Sequence, residues 1–254
     1  MHTAALAELG IGDEWSYEAI EVEPDGFEAL VRSLPGEGFA GVNVTVPHKL
    51  AALAVADSES AAAEAIGAAN TLSFDGASIA AENTDAVGIS GAIGAPVDGK
   101  RALVLGAGGS ARAAVYALRN AGAAVSIWNR TTEKAASLAK EFRVESRESR
   151  VEPADFDLLL NATTLGLDQA SARPPTHGDL KAFPFTADSL SERQVVVDLV
   201  YGPHETALAT EARRRGARVI DGLDVLVHQG AASLRIWTGL EPPLETMRAA
   251  ARES

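Results

Sequence analysis

The chain has 254 residues, 46 % of them hydrophobic and 22 % charged, with a net charge of −13 and no cysteine. Such a length suits one large or two modest domains with a proper core. The acidic balance argues against nucleic acid or an anionic membrane as partner, and the missing cysteines exclude disulfides, thiolate zinc sites and redox pairs.

In chain order, hydrophobic periodicity predicts a helix over Thr3–Leu9, a strand over Ser16–Val22 and a helix over Gly26–Leu34. A strand over Gly41–Thr45 and a helix over Leu50–Ala54 follow, then a helix over Glu59–Ala65. Ala69–Ser73 and Ser78–Glu82 read as a strand pair joined at Asp75-Gly76, a good hairpin turn. From Ala86 onward, helices (Ala86–Ile93, Ser110–Ala121, Thr132–Phe142, Thr206–Arg215) alternate with strands (Arg101–Leu105, Ala124–Trp128, Asp157–Leu160, Val195–Leu199, Arg218–Ile220). Helices over Val225–Thr238 and Leu244–Arg252 close the chain. Gly122 and Gly216 fall where a residue ending a helix belongs. Gly166 to Leu190, rich in Pro, Ala, Asp and Ser, reads as a long irregular excursion of the kind that is often mobile or functional. The alternation predicts an α/β protein with largely parallel sheets. No leader peptide and no bilayer-spanning apolar run is visible, so the expected location is cytoplasmic.

In Gly41-Val42-Asn43-Val44-Thr45-Val46-Pro47-His48-Lys49, three valines alternate with Asn43 and Thr45, and Pro47 then ends the strand for want of a backbone donor. Small polar groups and one lysine thus reach the carboxyl end of a strand, where ligands bind in open α/β sheets. Of the 22 cationic residues 17 are Arg and five are Lys, so Lys49 in an apolar stretch stands out. Unlike arginine, a partly buried lysine can give up its proton. A solvated lysine at a helix start is the plainer alternative.

Leu103 to Arg112 reads as apolar strand, glycine turn and helix, with glycines at 106, 108 and 109. Such glycines let the backbone approach a pyrophosphate at the N-terminus of a helix, so Ser110, Ala111 and Arg112 join the three glycines as candidate cofactor-binding residues. The NAD fingerprint places a carboxylate about 20 residues further on. This chain has Asn129-Arg130-Thr131 there, a guanidinium and small donors suited to a 2′-phosphate, so NADP is the expected cofactor. An Arg and an N-capping Thr at a helix start is the plainer reading. Asn161 and Thr163, in Asn161-Ala162-Thr163-Thr164, and Tyr201, in Asp198-Leu199-Val200-Tyr201, end two further strands at the same sheet edge. Asn70, Asp85 and Gln229 complete the polar set, each with a bland alternative as turn residue, helix cap or satisfied core amide.

These motifs, in this order and spacing, resemble shikimate dehydrogenases over nearly the whole chain. The resemblance implies a discontinuous α/β substrate-binding domain, residues 1–85 completed by 225–254, and a Rossmann-like dinucleotide-binding domain, residues 86–224, with the active site in the cleft. It implies reversible NADP-dependent reduction of 3-dehydroshikimate to shikimate, with Lys49 and Asp85 as catalytic pair and Thr45, Asn70, Gln229 and Tyr201 toward the substrate. It implies no metal, and a monomer or homodimer. A quinate or aminoshikimate dehydrogenase, or a weakly active NADP- or metabolite-binding protein, are alternatives. Family members carry a strand and a serine motif that binds the substrate carboxylate before a Pro-x-Met-His-Asn run, of which Met1-His2-Thr3 resembles the end. The chain as written is therefore expected to bind shikimate poorly while keeping NADP.

Overall fold

The computed structural model describes residues 1–167 and 177–253. The chain divides into two compact units, Met1–Gly91 with Leu226–Ser254, and Ala92–Val225. Both are α/β.

The first unit holds a four-stranded sheet of β1 (Gly41–Asn43), β2 (Ser58–Glu59), β3 (Thr71–Asp75) and β4 (Ser78–Glu82), in the order β1-β3-β4-β2. β3 and β4 form the expected hairpin. Thr71 pairs with Glu82 and Asp75 with Ser78, and Gly76 supplies a positive φ of 57° at the turn. One face buries Leu72, Ile79 and Ala81 against Phe27 and Val31 of helix α2 (Phe27–Ser33) and Ala52 and Val55 of helix α3 (Lys49–Val55). Each large apolar side chain so buried contributes roughly 1.5–3 kcal/mol. Period-2 alternation sends Asn43 and Thr71, which are paired in register, to the opposite face. Ser233 and Trp237 of the long helix near the end of the chain, Gly222–Thr238, cover that face. Trp237 Nε1 donates to the Leu72 carbonyl at 3.0 Å, and a Cβ at Gly41 would overlap both groups.

The expected strand Ser16–Val22 is absent. The segment has no regular structure and is exposed nearly throughout, and only Val22 is half-buried. Its apolar residues are interleaved with glutamates, but a strand needs a neighbouring backbone. Its contacts instead include those of the Tyr17 hydroxyl with Asn43 and of the Val22 carbonyl with His48 Nε2, at 3.0 and 3.1 Å. The strand expected to reach Thr45 stops at Asn43, because the Thr45 carbonyl accepts the His48 N–H and turns the chain.

The second unit is an all-parallel six-stranded sheet: β5 (Arg101–Leu105), β6 (Ala124–Trp128), β7 (Glu145–Arg147), β8 (Leu158–Asn161), β9 (Val195–Asp198) and β10 (Arg218–Ile220). The order β10-β9-β8-β5-β6-β7 is that of a Rossmann-like sheet, reversing between β5 and β8. Ala102–Leu105 and Leu158–Leu160 are buried runs, as strands covered on both faces require. Gly122 and Gly216 adopt φ of 87° and 84° just past their helices, as expected. The short strands Ser58–Glu59 and Glu145–Arg147 were not expected, since both are polar and lie at sheet edges. Within Gly166 to Leu190, residues 168–176 lie outside the described residues. The rest is irregular as expected, in short 3-10 turns, yet it is packed: Leu180, Phe183, Phe185 and Leu190 are buried in the core of this unit. Among the described residues no helix is long and apolar enough to cross a membrane.

Candidate active site

Lys49 opens helix α3, and Asp85 opens helix α5 (Asp85–Ile93). Lys49 Nζ donates to Asp85 Oδ2 at 2.6 Å, and the two side chains are only 12 % and 11 % exposed. Asp85 does not cap its helix. The Ala86 N–H instead reaches Asn83 Oδ1 at 3.4 Å, leaving the Asp85 carboxylate for side chains.

The β3–β4 hairpin brings Asn70, just before β3, beside Thr84 and Asp85, just after β4. The Thr84 main-chain N–H donates to Asn70 Oδ1 at 2.7 Å. A main-chain N–H can only donate, so the Asn70 amide has one orientation. Its Nδ2 then donates to Asp85 Oδ1 and to Gln229 Oε1, both at 2.9 Å. Each carboxylate oxygen of Asp85 therefore has a donor, as a nearly buried charge needs. Lys49, Asn70, Asp85 and Gln229 come together as one hydrogen-bonded array. Thr45 is exposed in the turn before α3.

Asn43, which the sequence already placed with Thr45 at the end of its strand, meets three participants that the sequence reading did not single out, Thr71, Thr84 and Ser233, and their polar atoms interlock behind Asn70 and Gln229. A signal existed. Asn43 and Thr71 are polar positions of alternating strands, and Ser233 follows Gln229 by four residues, on the same helix face.

In the second unit, Gly106 has a φ of 120°, and a Cβ there would lie 2.8 Å from the Ala162 carbonyl oxygen. This close approach sets the turn against the strand that ends in Asn161. Gly108 faces open space, and Gly109 begins the twelve-residue helix α6 (Gly109–Asn120). The N–H groups of Gly109, Ser110 and Ala111 belong to its first turn, where an anion is favoured. Arg112 points to the next helix, α7 (Thr132–Phe142). It pairs with Glu141, and its guanidinium lies 5.6 Å from the Phe142 ring centre.

At the end of β6, Asn129 Nδ2 donates to the Thr131 carbonyl at 2.9 Å. The Thr131 side chain makes no capping bond to α7, and Arg130 is exposed with no partner among the described residues. An unpaired guanidinium beside small donors, with no carboxylate at 129–131, suits a 2′-phosphate better than a bare ribose. The residues present thus fit NADP.

Asn161 is fully buried, and its Oδ1 accepts from the main-chain N–H and the hydroxyl of Thr163 at 3.1 and 2.6 Å. Its Nδ2 donates to Asp198 Oδ1 at 2.9 Å. Burial pushes the Asp198 carboxyl up to about 6, against the pull of hydrogen bonds from the Thr206 hydroxyl, the Val200 N–H and Asn161. Tyr201 is 44 % exposed beyond β9.

Comparison with known proteins places this arrangement in context. Residues 1–72 match a family described as the shikimate dehydrogenase substrate binding domain, and residues 91–163 one described as shikimate / quinate 5-dehydrogenase. Residues 222–252 match the shikimate 5'-dehydrogenase C-terminal domain. A shikimate dehydrogenase (NADP(+)) of Methanocella arvoryzae is 41 % identical over 266 residues, covering 100 % of this chain and 93 % of the relative. The crystal structure of a Thermus thermophilus shikimate 5-dehydrogenase in complex with NADP(H) and shikimate superposes with a TM-score of 0.87 at 41 % identity, over 99 % of this chain and 92 % of that one. A ligand-free 5-ketofructose reductase of Gluconobacter sp. strain CHM43 gives a TM-score of 0.82 at 29 % identity, over 98 % and 91 %. By sequence over its full length and by fold, the chain belongs to the shikimate dehydrogenase family.

Proposed function

We propose that the chain is an NADP-dependent dehydrogenase that interconverts 3-dehydroshikimate and shikimate. The observation that carries this reading is the array of Lys49, Asp85, Asn70 and Gln229, in which a nearly buried ammonium is held by a carboxylate that is itself fixed from its far side. When a ring ketone is reduced, negative charge develops on its oxygen and must be neutralised as it forms. Lys49 Nζ holds the proton that this oxygen takes. Asp85 orients the amine, and Asn70 keeps Asp85 from turning away. Thr45, Asn70, Gln229 and Tyr201 are assigned to the substrate. Because Asn70 directs its amide protons at Asp85 and Gln229, it serves the substrate chiefly through them.

NADP, when bound, is the carrier of the hydride. Gly106, Gly108, Gly109, Ser110 and Ala111 would receive the pyrophosphate, and Asn129, Arg130 and Thr131 the 2′-phosphate. Asn161 and Thr163 lie at the carboxyl edge of the sheet, where the rest of a dinucleotide is expected.

The test is initial-rate NADP reduction with shikimate, quinate and aminoshikimate, each repeated with NAD. Turnover of shikimate with the highest kcat/KM, and with NADP over NAD, is expected. NADP binding without turnover of any of the three overturns the reading, and a higher kcat/KM on quinate moves the substrate assignment.

A further inference from the structure

Behind Gln229 lies a hydroxyl cluster to which the reaction proposed above gives no task. Ser233, one helical turn further along, is fully buried. Its hydroxyl oxygen has four polar neighbours. These are Asn43 Nδ2 and Thr71 Oγ1, both at 2.8 Å, and Thr84 Oγ1 and the Gln229 main-chain carbonyl, both at 3.1 Å. A hydroxyl has one proton and two lone pairs, so four neighbours cannot all be satisfied at once. The protons must be ordered.

Groups with only one possible role set that order. The Asn43 amide nitrogen can only donate, and the Asn70 main-chain carbonyl, which can only accept and lies 3.4 Å from Asn43 Nδ2, fixes that nitrogen on the side of Ser233. The Gln229 carbonyl can only accept. Ser233 therefore accepts from Asn43 and donates to Gln229, with one lone pair left for Thr71 or Thr84. The far end of Gln229 is set in the same way. Asn70 Nδ2, its direction fixed by the Thr84 main-chain N–H, donates to Gln229 Oε1 at 2.9 Å, and the Thr84 hydroxyl adds a longer contact at 3.4 Å. With Oε1 facing inward, Gln229 Nε2 faces outward, and no described residue accepts from it.

We propose that Ser233 is a positioning residue: with Asn43 and Thr71 it clamps the turn that carries Gln229, so that the Gln229 amide nitrogen is presented to the substrate as a donor. The inference rests on the dehydrogenase reading and deepens it. It assigns the group read at this point as a substrate oxygen free to accept a hydrogen bond. A serine one turn after a glutamine in a buried helix needs no partner from a distant strand to fold; here it has two hydroxyls and an amide waiting for it.

The experiment is a double-mutant cycle on the full chain, with kcat, shikimate KM and NADP KM measured for wild type, Ser233→Ala, Gln229→Ala and the double variant. Ser233→Ala is expected to raise shikimate KM about 10-fold, with kcat changed less than about 3-fold and NADP KM unchanged. The double variant is expected to be no worse than Gln229→Ala alone, because Ser233 acts through Gln229. Gln229→Glu, which keeps the inward acceptor but replaces the outward donor with an acceptor and adds a negative charge near Asp85, is expected to do at least as badly as Gln229→Ala. Effects that simply add, an unchanged shikimate KM in Ser233→Ala, or a Gln229→Glu variant as good as wild type each overturn the proposal while leaving the dehydrogenase reading in place. A wild type that turns over no shikimate removes that reading and this proposal with it. If Ser233→Ala does not fold, Thr71→Val takes its place in the cycle with the same expectations.

Discussion

Both units contain the same small device, and the difference between the two copies is instructive. In each, an asparagine accepts a main-chain N–H at its oxygen and donates from its nitrogen to an aspartate: Asn70 between Thr84 and Asp85, and Asn161 between Thr163 and Asp198. The third partner separates them. Asp85 gives its other oxygen to the Lys49 ammonium, whereas Asp198 gives its other oxygen to the hydroxyl of Thr206, which caps the helix Ala207–Arg214. A carboxylate beside an ammonium can take part in proton transfer. A carboxylate surrounded by neutral donors in the core holds a loop and a helix end in place. The scaffold is shared, and on the function proposed above the third partner decides between chemistry and architecture.

The largest effect is expected from removing that third partner in the first unit. Lys49→Ala should lower kcat by roughly 100-fold or more, with NADP KM little changed. A kcat near the wild-type value would make the two devices equivalent and remove the comparison.

Acid sharpens it next. The Asp198 carboxyl sits at about 6 instead of its ordinary 3.8, so the folded state holds that proton more tightly than the unfolded chain does. Its contribution to stability is present at low pH and lost as pH rises from 3.8 through 6. His2, in the first unit, is held at about 4 instead of 6.5, chiefly by burial and against the pull of the Gly230 carbonyl. There the unfolded chain takes the proton more readily, so stability is present above pH 6.5 and lost as pH falls through 4. Each slope is worth at most about 3 kcal/mol, and between pH 4 and 6 they oppose. Denaturant midpoints across that range should therefore be flatter in wild type than in Asp198→Asn, in which only the His2 slope remains. Equal slopes in the two proteins would mean that Asp198 does not titrate as its burial requires.

A smaller effect is expected at the cofactor. Arg130→Ala should raise NADP KM about 10-fold and leave the weaker NAD reaction nearly untouched, since one charge-assisted contact is removed. Equal losses with both cofactors would show that Arg130 does not read the phosphate. Smallest of all, Arg112→Ala should change NADP KM less than about 3-fold, because that guanidinium is engaged with Glu141 and Phe142. A loss matching that of Arg130→Ala would assign Arg112 to the cofactor after all.

What was legible in the sequence was local. Apolar runs such as Leu103-Val104-Leu105, the glycines at 106, 108 and 109 and the helix that follows carry their structure within a dozen residues. The hairpin at Gly76 and the helix ends at Gly122 and Gly216 were legible for the same reason. Ser16–Val22 misled because apolar residues interleaved with glutamates suit a strand, and a strand also requires a neighbour. The buried Phe183 and Phe185 were hidden among prolines and polar residues that read as loop. The cluster around Ser233 was least legible, since Thr71 and Ser233 meet across 162 residues, and no pattern along the chain marks a meeting at that range.

The hairpin that joins Asn70 to Thr84 and Asp85 has a consequence for how this part of the chain can change in length. Surface turns ordinarily absorb gains and losses of residues. The tip at Gly76 and Ala77 can do so by bulging outward. Either arm cannot, because one residue added between Thr71 and Asp75 or between Ser78 and Glu82 slides the arms by about 3.3 Å and exchanges the faces of every side chain beyond it. The amide of Asn70 would then miss both the Thr84 N–H and Asp85, although no residue of the array had been altered. The two arms act as a ruler, and among sequences built on this plan insertions and deletions should collect at the tip and be missing from the arms.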